Sequence, residues 1–307
     1  MAEVTKEEVT ESEDFVQINF PSGEYTYLTP FKFLDKDDHS NTALIILNQK
    51  LDNNTLTKVW ASTVLHVCAD GGANRLYECF ESEEVRSSFI PHFIVGDLDS
   101  IRSDVQSYYE RKGTKVIPQT SQYATDFTKA ITLTKIYFHS SEGKEFLKQG
   151  PIESECGMLE YSKNTSMTKD SVINLYALGG IDGRFDQTIS SINQLYKLNV
   201  SDPNINLYLL TACDMIFLLR AGTSYVGYDS KSVFNASSKL PTCGLLPLGS
   251  NEVCITTKGL KYDVKNWKTD MTGKVSSSNA ISGINGFIVE ADHPIIMNIE
   301  VDLSKSS

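Results

Sequence analysis

The sequence predicts two domains: an N-terminal α/β domain with a mostly parallel sheet, and a C-terminal all-β sandwich. Apolar runs of strand length alternate with helical patterns as far as residue 212, which is typical of a parallel sheet covered by helices. From residue 213, short β-type runs alternate with Gly, Pro, Ser and Asn turns, without a helical period. The length of 307 residues also exceeds one small domain. We therefore place the α/β domain at residues 26–212 and the sandwich at 213–307.

Five strands are predicted in the α/β domain, because each is a short apolar run bounded by turn residues. In chain order they are TALIILN (42–48), VLHVCA (64–69), HFIVG (92–96), TKVIPQT (114–120) and SVINLYALGG (171–180). Helices are expected between and after them. These are ANRLYECF (73–80), DVQSYYERKG (104–113) ending at Gly113, TDFTKAITLTKIYF (125–138) with Thr125 as the N-cap, and a stretch from Asp186 to Leu198.

Two segments fall outside this alternation. Residues 1–25 are acidic and lack the apolar core of a secretory signal, so we predict a disordered tail there. Residues 140–170 are polar and irregular and interrupt the α/β pattern, which indicates a surface insertion.

The composition disfavours several kinds of partner. The formal net charge is −11 and the basic residues form no dense cluster, so a broad nucleic-acid or anionic-membrane surface is not expected. The longest apolar runs are too short to span a bilayer. Six cysteines occur without a C-x-x-C pair, which is typical of free thiols in a reducing compartment. We expect a cytoplasmic protein with neither nucleic-acid nor membrane partners.

Aspartates follow several of the predicted strands. They are Asp70, Asp97, Asp99, Asp126, Asp182 and Asp186. The carboxyl ends of parallel strands share one edge of the sheet, and carboxylates gathered there repel one another unless a cation lies among them. Asp97 and Asp99 are two residues apart, so in extended backbone both side chains would point the same way. Because oxygen ligands of this kind suit Mg²⁺, the pattern predicts a metal site.

Two glycine turns accompany the aspartates. Asp70-Gly71-Gly72-Ala73 lies between a strand and a helix, where backbone N–H groups can bind phosphate. LGGIDGR (178–184) follows the fifth strand, and Arg184 can bind a phosphate through two bonds. The absence of both G-x-x-x-x-G-K-[ST] and G-x-G-x-x-G disfavours a P-loop ATPase or a Rossmann dehydrogenase. Metal, phosphate sites and an arginine together indicate phosphoryl or pyrophosphoryl transfer.

The ordered set of motifs resembles the thiamine pyrophosphokinase family, eukaryotic type. The stretches are NQKLDN (48–53), CADGGANRLYE (68–78), GDLDSIR (96–102), TDFTK (125–129), LGGIDGRFDQ (178–187), CGLLPLG (243–249), TTKGLKYDV (256–264), VSSSN (275–279) and ADHP (291–294). The resemblance implies transfer of pyrophosphate from ATP to thiamine, which gives thiamine diphosphate and AMP. It also implies an α/β domain followed by a β-sandwich, and a homodimer whose thiamine site is shared between subunits.

The resemblance assigns roles residue by residue. It implies that Asp97, Asp99 and Asp126 bind Mg²⁺. Around the triphosphate it places Gln122, Thr125 and Arg184. Asp186, in the same LGGIDGRFDQ stretch, is a further expected cofactor-binding residue. Asp70 belongs with Gly71 and Gly72 to the first glycine turn, near the reacting groups, and Ser276, Ser278 and Asn279 fall where the family contacts thiamine. The expected catalytic set is Asp70, Asp97, Asp99, Asp126 and Arg184, with Asp70 or Asp97 accepting the hydroxyl proton.

One aromatic position departs from the family. Tyr262 stands in the GLKY stretch where the family commonly has tryptophan. Tyrosine also stacks on a cationic ring, although more weakly, so Tyr262 is the expected thiamine contact. Trp267, five residues further on, is the alternative.

Other functions also use a D-x-D motif. In aspartyl-phosphate phosphatases the first aspartate is a nucleophile, but here the motif follows the third predicted strand and Ser100-Ile101 replaces the usual Gly-Thr. A Mn²⁺-dependent sugar-nucleotide transferase is a second alternative. Neither accounts for GGIDGRFDQ or for the β domain. A nucleotide-binding sensor without turnover stays open at this point, and the products formed from ATP and thiamine would distinguish it.

Overall fold

The computed structural model describes residues 6–34, 40–148, 157–164, 172–234 and 240–304. The chain divides into two compact units. The α/β unit is Lys36–Thr211, and the β unit combines Met1–Asp35 with Ala212–Ser307. Both ends of the chain therefore belong to the β unit.

The strands and helices of the described residues are as follows. The strands are β1 (Glu8–Glu11), β2 (Thr26–Leu28), β3 (Thr42–Ile46), β4 (Leu65–Ala69), β5 (Phe93–Gly96), β6 (Lys115–Pro118), β7 (Ile173–Leu178), β8 (Ile205–Leu210), β9 (Asp214–Leu219), β10 (Gly222–Gly227), β11 (Thr242–Leu246), β12 (Val253–Lys258), β13 (Tyr262–Lys265), β14 (Trp267–Thr269), β15 (Ser276–Ala280), β16 (Gly286–Ala291) and β17 (Ile295–Glu300). The helices are α1 (Asn53–Ala61), α2 (Gly72–Glu78), α3 (Glu83–Arg86), α4 (Ser103–Arg111), α5 (Asp126–His139), α6 (Ser141–Lys148), α7 (Gly157–Asn164) and α8 (Phe185–Ser201), with 3₁₀ turns at Lys32–Leu34 and Lys231–Phe234. None of these helices has both the length and the apolarity that a membrane span requires.

A parallel sheet forms the centre of the α/β unit, with the strand order β8-β7-β3-β4-β5-β6. All residues of β3, β4 and β5 are buried, as expected for a parallel sheet covered on both faces. From β3 the chain proceeds to β4, β5 and β6 on one side, and then returns to β7 on the other. Sheets of this kind bind ligands beyond the carboxyl ends of the strands, where the order reverses.

Most of the predicted α/β elements are confirmed. The five predicted strands correspond to β3–β7, and the predicted helices to α2, α4, α5 and α8. Thr125 caps α5 as predicted, because its Oγ1 accepts the Thr128 N–H at 3.2 Å. Strand β8 was not predicted, although INLYLL is an apolar run of strand length. Helix α1 was not predicted either, although its N-cap Asp52 accepts the Thr55 N–H at 2.8 Å.

The described part of the predicted insertion is helical rather than irregular. Residues 140–170 contain α6 and α7, and apart from Ser140, the C-cap of α5, the remainder of that range lies outside the described residues. Leu147 and Met158 are fully buried, and the rings of Phe146 and Tyr161 stack with centroids 4.0 Å apart. These few apolar side chains pack the two helices, although the overall composition of the segment is polar.

The β unit contains two larger sets of adjacent strands and one pair. The first set has the order β14-β12-β16-β10-β2, and the second has the order β15-β11-β17-β9. Pairing is antiparallel except between β10 and β2. The third sheet is the antiparallel pair β1 and β13. The predicted fold class, a mostly parallel α/β domain and a C-terminal β sandwich, is confirmed by the α/β unit and the β-rich C-terminal region.

The N-terminal residues differ from the sequence expectation. Residues 8–11 form β1 and residues 26–28 form β2, whereas the analysis placed a disordered tail at 1–25 and began the α/β domain at 26. Ile18 is 1% exposed and packs with Tyr225 and Ile288. The acidic composition is typical of disorder, but pairing with distant strands of the β unit orders the described part of this segment.

Candidate active site

Three aspartates converge at the carboxyl edge of the α/β sheet. Asp70 follows β4, and Asp97 and Asp99 follow the neighbouring strand β5. One carboxylate oxygen from each lies within 4.8 Å of those of the other two. This spacing is suited to a single cation bound by hard oxygen ligands, so the residues present fit Mg²⁺.

A turn, rather than extended backbone, brings Asp97 and Asp99 together. Leu98 between them has φ +64°, a left-handed conformation that an extended strand does not contain. The Asp99 N–H donates to Asp97 Oδ1 at 3.4 Å across this turn. The prediction that extended backbone points both side chains the same way is therefore wrong, although the two carboxylates do lie close together as predicted.

Asp70 accepts hydrogen bonds from the loop that carries the other two aspartates. Its side chain is 1% exposed, and its two oxygens accept the N–H groups of Ser100 at 3.1 Å and Ile101 at 3.0 Å. Burial raises the pKa of Asp70 to about 6, although these two hydrogen bonds oppose the shift. The residue itself has φ +43°. Asp70 thus both joins the carboxylate group and fixes the backbone after β5.

Asp126 lies beside this group but is paired with a lysine. Its Oδ1 accepts the Asp97 N–H at 3.3 Å and Lys129 Nζ at 3.0 Å. Lys129 is 2% exposed, and its Nζ is also 3.9 Å from Asp97 Oδ2. The close carboxylate group contains Asp70 and not Asp126, whose Oδ1 accepts from the Lys129 ammonium instead. No role was predicted for Lys129, although its i,i+3 spacing from Asp126 on a helix places both on one face.

Gln122 and Thr125 lie at the start of α5, next to the carboxylates. Gln122 Nε2 donates to Asp97 Oδ2 at 2.8 Å and so orients that carboxylate. Both residues line a cleft of about 460 Å³ within the α/β unit, a volume typical of small-molecule sites. Asp70, Asp97, Asp126 and Arg184 line the same cleft, whereas Asp99 lies outside its lining.

The cleft also contains polar residues that sequence reasoning missed. They are Asn48 and Gln49 after β3, and Gln187, Ser190 and Ser191 on α8. Asn48 and Gln49 belong to the NQKLDN motif and Gln187 to LGGIDGRFDQ, but no role was predicted for them; Ser190 and Ser191 belong to none of the quoted motifs. The residues on α8 come together with β3 only because β7 and β3 are neighbours in the sheet.

Both glycines of the first turn are closely packed, and at Gly72 the neighbouring atoms are backbone, so a side chain there would require the backbone to shift. A Cβ on Gly71 would lie 2.4 Å from the Asn48 side-chain amide, and one on Gly72 would lie 2.1 Å from the Ile46 carbonyl oxygen. Gly71 lines the cleft, whereas Gly72 packs against the end of β3. In the second turn, Gly179 has φ +73° and lines the cleft. Phosphate binding by these turns stays a prediction.

Arg184 and Asp186 contact each other at the start of α8. Arg184 Nε lies 3.1 Å from Asp186 Oδ1, and Nη2 lies 2.5 Å from Oδ2. These bonds hold the pKa of Asp186 below its usual value. Both side chains are exposed, and Arg184 lines the cleft. The guanidinium thus already binds a carboxylate in the two-bond geometry that was predicted for a phosphate.

The predicted thiamine-side residues belong to the β unit. Tyr262 begins β13 and is 47% exposed, and Ser276 and Ser278 are on β15. Asn279 is buried, and its amide exchanges two hydrogen bonds with the Tyr262 backbone: Tyr262 N–H to Oδ1 at 2.9 Å, and Nδ2 to Tyr262 O at 2.7 Å. Asn279 therefore positions the Tyr262 backbone. Trp267, the alternative aromatic residue, is on β14 with Lys274 Nζ 5.3 Å from its ring centroid.

Comparisons with known proteins agree with both units. The sequence-family model for the thiamin pyrophosphokinase catalytic domain matches residues 56–209. The family model for the thiamin pyrophosphokinase vitamin B1 binding domain matches residues 232–296. Thiamine pyrophosphokinase from Saccharomyces cerevisiae is 39% identical over 289 residues, which cover 89% of this chain and 90% of that protein. Thiamine pyrophosphokinase 2 from Arabidopsis thaliana is 31% identical and covers 84% of this chain and 86% of its own. The structure of thiamin pyrophosphokinase from Candida albicans superposes with a TM-score of 0.87 and 43% identity, covering 98% of this chain and all of that one.

Proposed function

Because this chain belongs to the thiamine pyrophosphokinase family and transfers pyrophosphate from ATP to thiamine, we propose that the carboxylate edge of the α/β unit binds ATP with Mg²⁺. The observation that carries this proposal is the short distance between three carboxylates at the carboxyl edge. One carboxylate oxygen from each of Asp70, Asp97 and Asp99 lies within 4.8 Å of the other two. The phosphatase and sugar-nucleotide alternatives are not favoured, since both family models and the relatives are thiamine pyrophosphokinases. The relatives are also enzymes, which disfavours a sensor without turnover.

Asp97 and Asp99 would hold the metal, together with Asp70 from the close group or with Asp126 as the family resemblance implies. Bound Mg²⁺ would supply charge neutralisation to the phosphate oxygens of ATP. Lys129 and Gln122 keep the carboxylates in place through their bonds to Asp126 and Asp97. Transfer of a phosphoryl or pyrophosphoryl group depends mainly on such positioning and on charge stabilisation.

Arg184 would bind the polyphosphate by exchanging its contact with Asp186 for phosphate oxygens. The two-bond geometry toward a carboxylate supports this role, because carboxylate and phosphate present similar pairs of oxygens. Gly71 and Gly179 would contribute backbone N–H groups at the cleft. Asp70 or Asp97 would accept the proton of the thiamine hydroxyl as it attacks.

Thiamine recognition would fall to the β unit. We propose that Tyr262 stacks on the cationic ring and that Ser276, Ser278 and Asn279 make further contacts with thiamine. The match to the vitamin B1 binding family model includes all four residues and supports this proposal. We also propose a homodimer in which the ATP-side residues of one subunit and the thiamine-side residues of the other complete one site.

The test is a product assay. Purified protein is incubated with ATP, MgCl₂ and thiamine, and nucleotides and thiamine esters are separated by chromatography. We expect AMP and thiamine diphosphate in equal amounts, and neither product when EDTA removes the metal. Formation of ADP or inorganic phosphate in place of AMP would contradict pyrophosphoryl transfer.

A further inference from the structure

Strand β13, which begins at Tyr262, has β1 as its one sheet partner in the described part of the chain. The register places Glu11 opposite Tyr262, Thr10 opposite Asp263 and Glu8 opposite Lys265. An unpaired strand loses its ladder of hydrogen bonds and the restraint on its backbone. The position of Tyr262 therefore depends on residues near the N-terminus.

The hydrogen-bond pattern shows which residues of β1 pair with β13. The Ser12 N–H donates to the Lys261 carbonyl at 2.7 Å, just beyond the end of the strand. Because bonded and non-bonded pairs alternate in an antiparallel ladder, Thr10 and Asp263 form the next bonded pair. Glu11 and Tyr262 form the non-bonded pair between these two bonded pairs. Val9 and Val264 form the next non-bonded pair, on the other side of Thr10, so the Val9 N–H points away from β13.

Side chains fix both ends of this pairing. Glu7 accepts the Lys268 N–H at 3.1 Å and pairs with Lys274 at 2.5 Å. Ser12 Oγ donates to Asp263 Oδ2 at 3.0 Å, and Lys261 Nζ donates to Asp14 Oδ1 at 2.9 Å. The acidic N-terminal segment is thus attached to the same part of the β unit that carries Tyr262 and Trp267.

Asn279 restrains the same residue through a different contact. Its amide bonds to both the N–H and the carbonyl of Tyr262, so these two groups, which face away from β1 in a non-bonded pair, are satisfied by a side chain. Between them, β1 and Asn279 hold the backbone of β13 at its first residue. The exposed Tyr262 side chain is thereby presented from a fixed backbone.

We propose that β1 is a positioning element of the thiamine site, which it serves by holding Tyr262 for contact with the cationic ring. This inference rests on the proposed function of Tyr262. Residues 8–11 lie outside both segments that match the family models, so the role is not part of either matched domain. The prediction is specific: disrupting β1 should weaken the use of thiamine while leaving the use of ATP intact.

The test compares two proline substitutions in the full-length protein. Thr10→Pro removes an N–H that points to β13, whereas Val9→Pro places the same ring where the N–H points away. We expect Thr10→Pro to raise the KM for thiamine about fivefold above that of Val9→Pro, the effect of losing one backbone hydrogen bond and its register. The KM for ATP should stay within about twofold of that of the unmodified protein. Equal thiamine KM values in the two folded variants, or a matching rise in the KM for ATP, would overturn the proposal.

A second variant covers the case in which Thr10→Pro does not fold. Glu7→Ala removes the anchor ahead of β1 without altering the strand backbone, and should also raise the KM for thiamine selectively. A folded Glu7→Ala protein with wild-type KM values, alongside an unfolded Thr10→Pro protein, would count against the proposal. The unmodified protein is assayed first for AMP and thiamine diphosphate, so that failure of the proposed function is seen separately from failure of this role for β1.

Discussion

Asp99 is the carboxylate whose replacement should lower activity with the least effect on the stability of the fold. It is exposed, and its contacts are local, with Ser100 Oγ donating to Oδ1 at 2.8 Å. We predict that Asp99→Asn lowers kcat by about 100-fold or more, because a metal ligand is lost, while its free energy of unfolding changes by less than about 0.5 kcal/mol. Steady-state assays over a range of Mg²⁺ concentrations and urea unfolding measure the two effects.

A matched control is available on the neighbouring helix. Asp104 is another exposed aspartate, paired with Arg102 at 3.4 Å and outside the carboxylate group. Asp104→Asn should leave the Mg²⁺ dependence unchanged. Near-normal activity of a folded Asp99→Asn protein at limiting Mg²⁺ would remove Asp99 from the proposed metal site.

Arg184 tests whether two-bond geometry or charge alone is needed at the cleft. Its guanidinium makes two bonds to Asp186, and a lysine ammonium cannot reproduce that fork. We predict that Arg184→Lys raises the KM for ATP or lowers kcat by about tenfold or more, close to the effect of Arg184→Ala. Initial rates at varied ATP give both constants. If the lysine variant works as well as the native enzyme, Arg184 acts only as a local positive charge.

At the scale of elements, the contact between α1 and β4 should make stability depend on pH. His66 on β4 stacks on Trp60 of α1 with centroids 3.8 Å apart, and its Nε2 lies near the carbonyls of Trp60 and Thr63. Burial, followed by the neighbouring His92, lowers the pKa of His66 from 6.5 to about 4. The folded protein therefore keeps this ring neutral over a range in which the unfolded chain binds a proton.

The sign of the effect follows from that difference in proton binding. Above pH 6.5 the contribution of His66 to stability is complete, and it is lost as the pH falls toward 4, with an upper bound of about 3.4 kcal/mol. We predict that His66→Gln has a flatter profile of unfolding free energy between pH 6.5 and 4 than the native protein. Urea unfolding at several pH values checks this. Parallel profiles for the two proteins would assign the acid sensitivity to other groups.

At the scale of the whole molecule, the proposed shared site predicts complementation. Asp99→Asn affects the ATP side, and Asn279→Ala affects the thiamine side through the Tyr262 backbone or directly. In a mixed dimer with shared sites, one site contains both substitutions and the other contains neither. Random exchange makes about half of the dimers mixed, so roughly a quarter of all sites should regain activity. The assay follows AMP formation after mixing two variants that are each nearly inactive.

The control for this experiment is proof of subunit exchange. Two differently tagged preparations are mixed, and co-purification through one tag reports mixed dimers. If exchange occurs and activity does not return, each site is built within one chain, and the pyrophosphokinase activity itself is unaffected by that result.

The sequence by itself determined the elements with strong local signals. The apolar runs of β3–β7 form strands because buried parallel strands need no polar face, and Thr125 starts α5 because its hydroxyl satisfies a free N–H of the first turn. The ends of those strands also located the aspartates at one edge of a sheet. The motif resemblance identified the family, which the comparisons confirm.

Only the tertiary structure decided which of these residues meet. Asp70 joins Asp97 and Asp99 because β4 and β5 are neighbours and a left-handed Leu98 turns the loop, and neither fact has a local sequence signal. The pairing of β1 with β13 joins segments as far apart as Ser12 and Asp263, 251 residues along the chain. Local propensity describes a residue and its near neighbours, whereas the long-range pairing depends on contacts that exist only once the chain has folded.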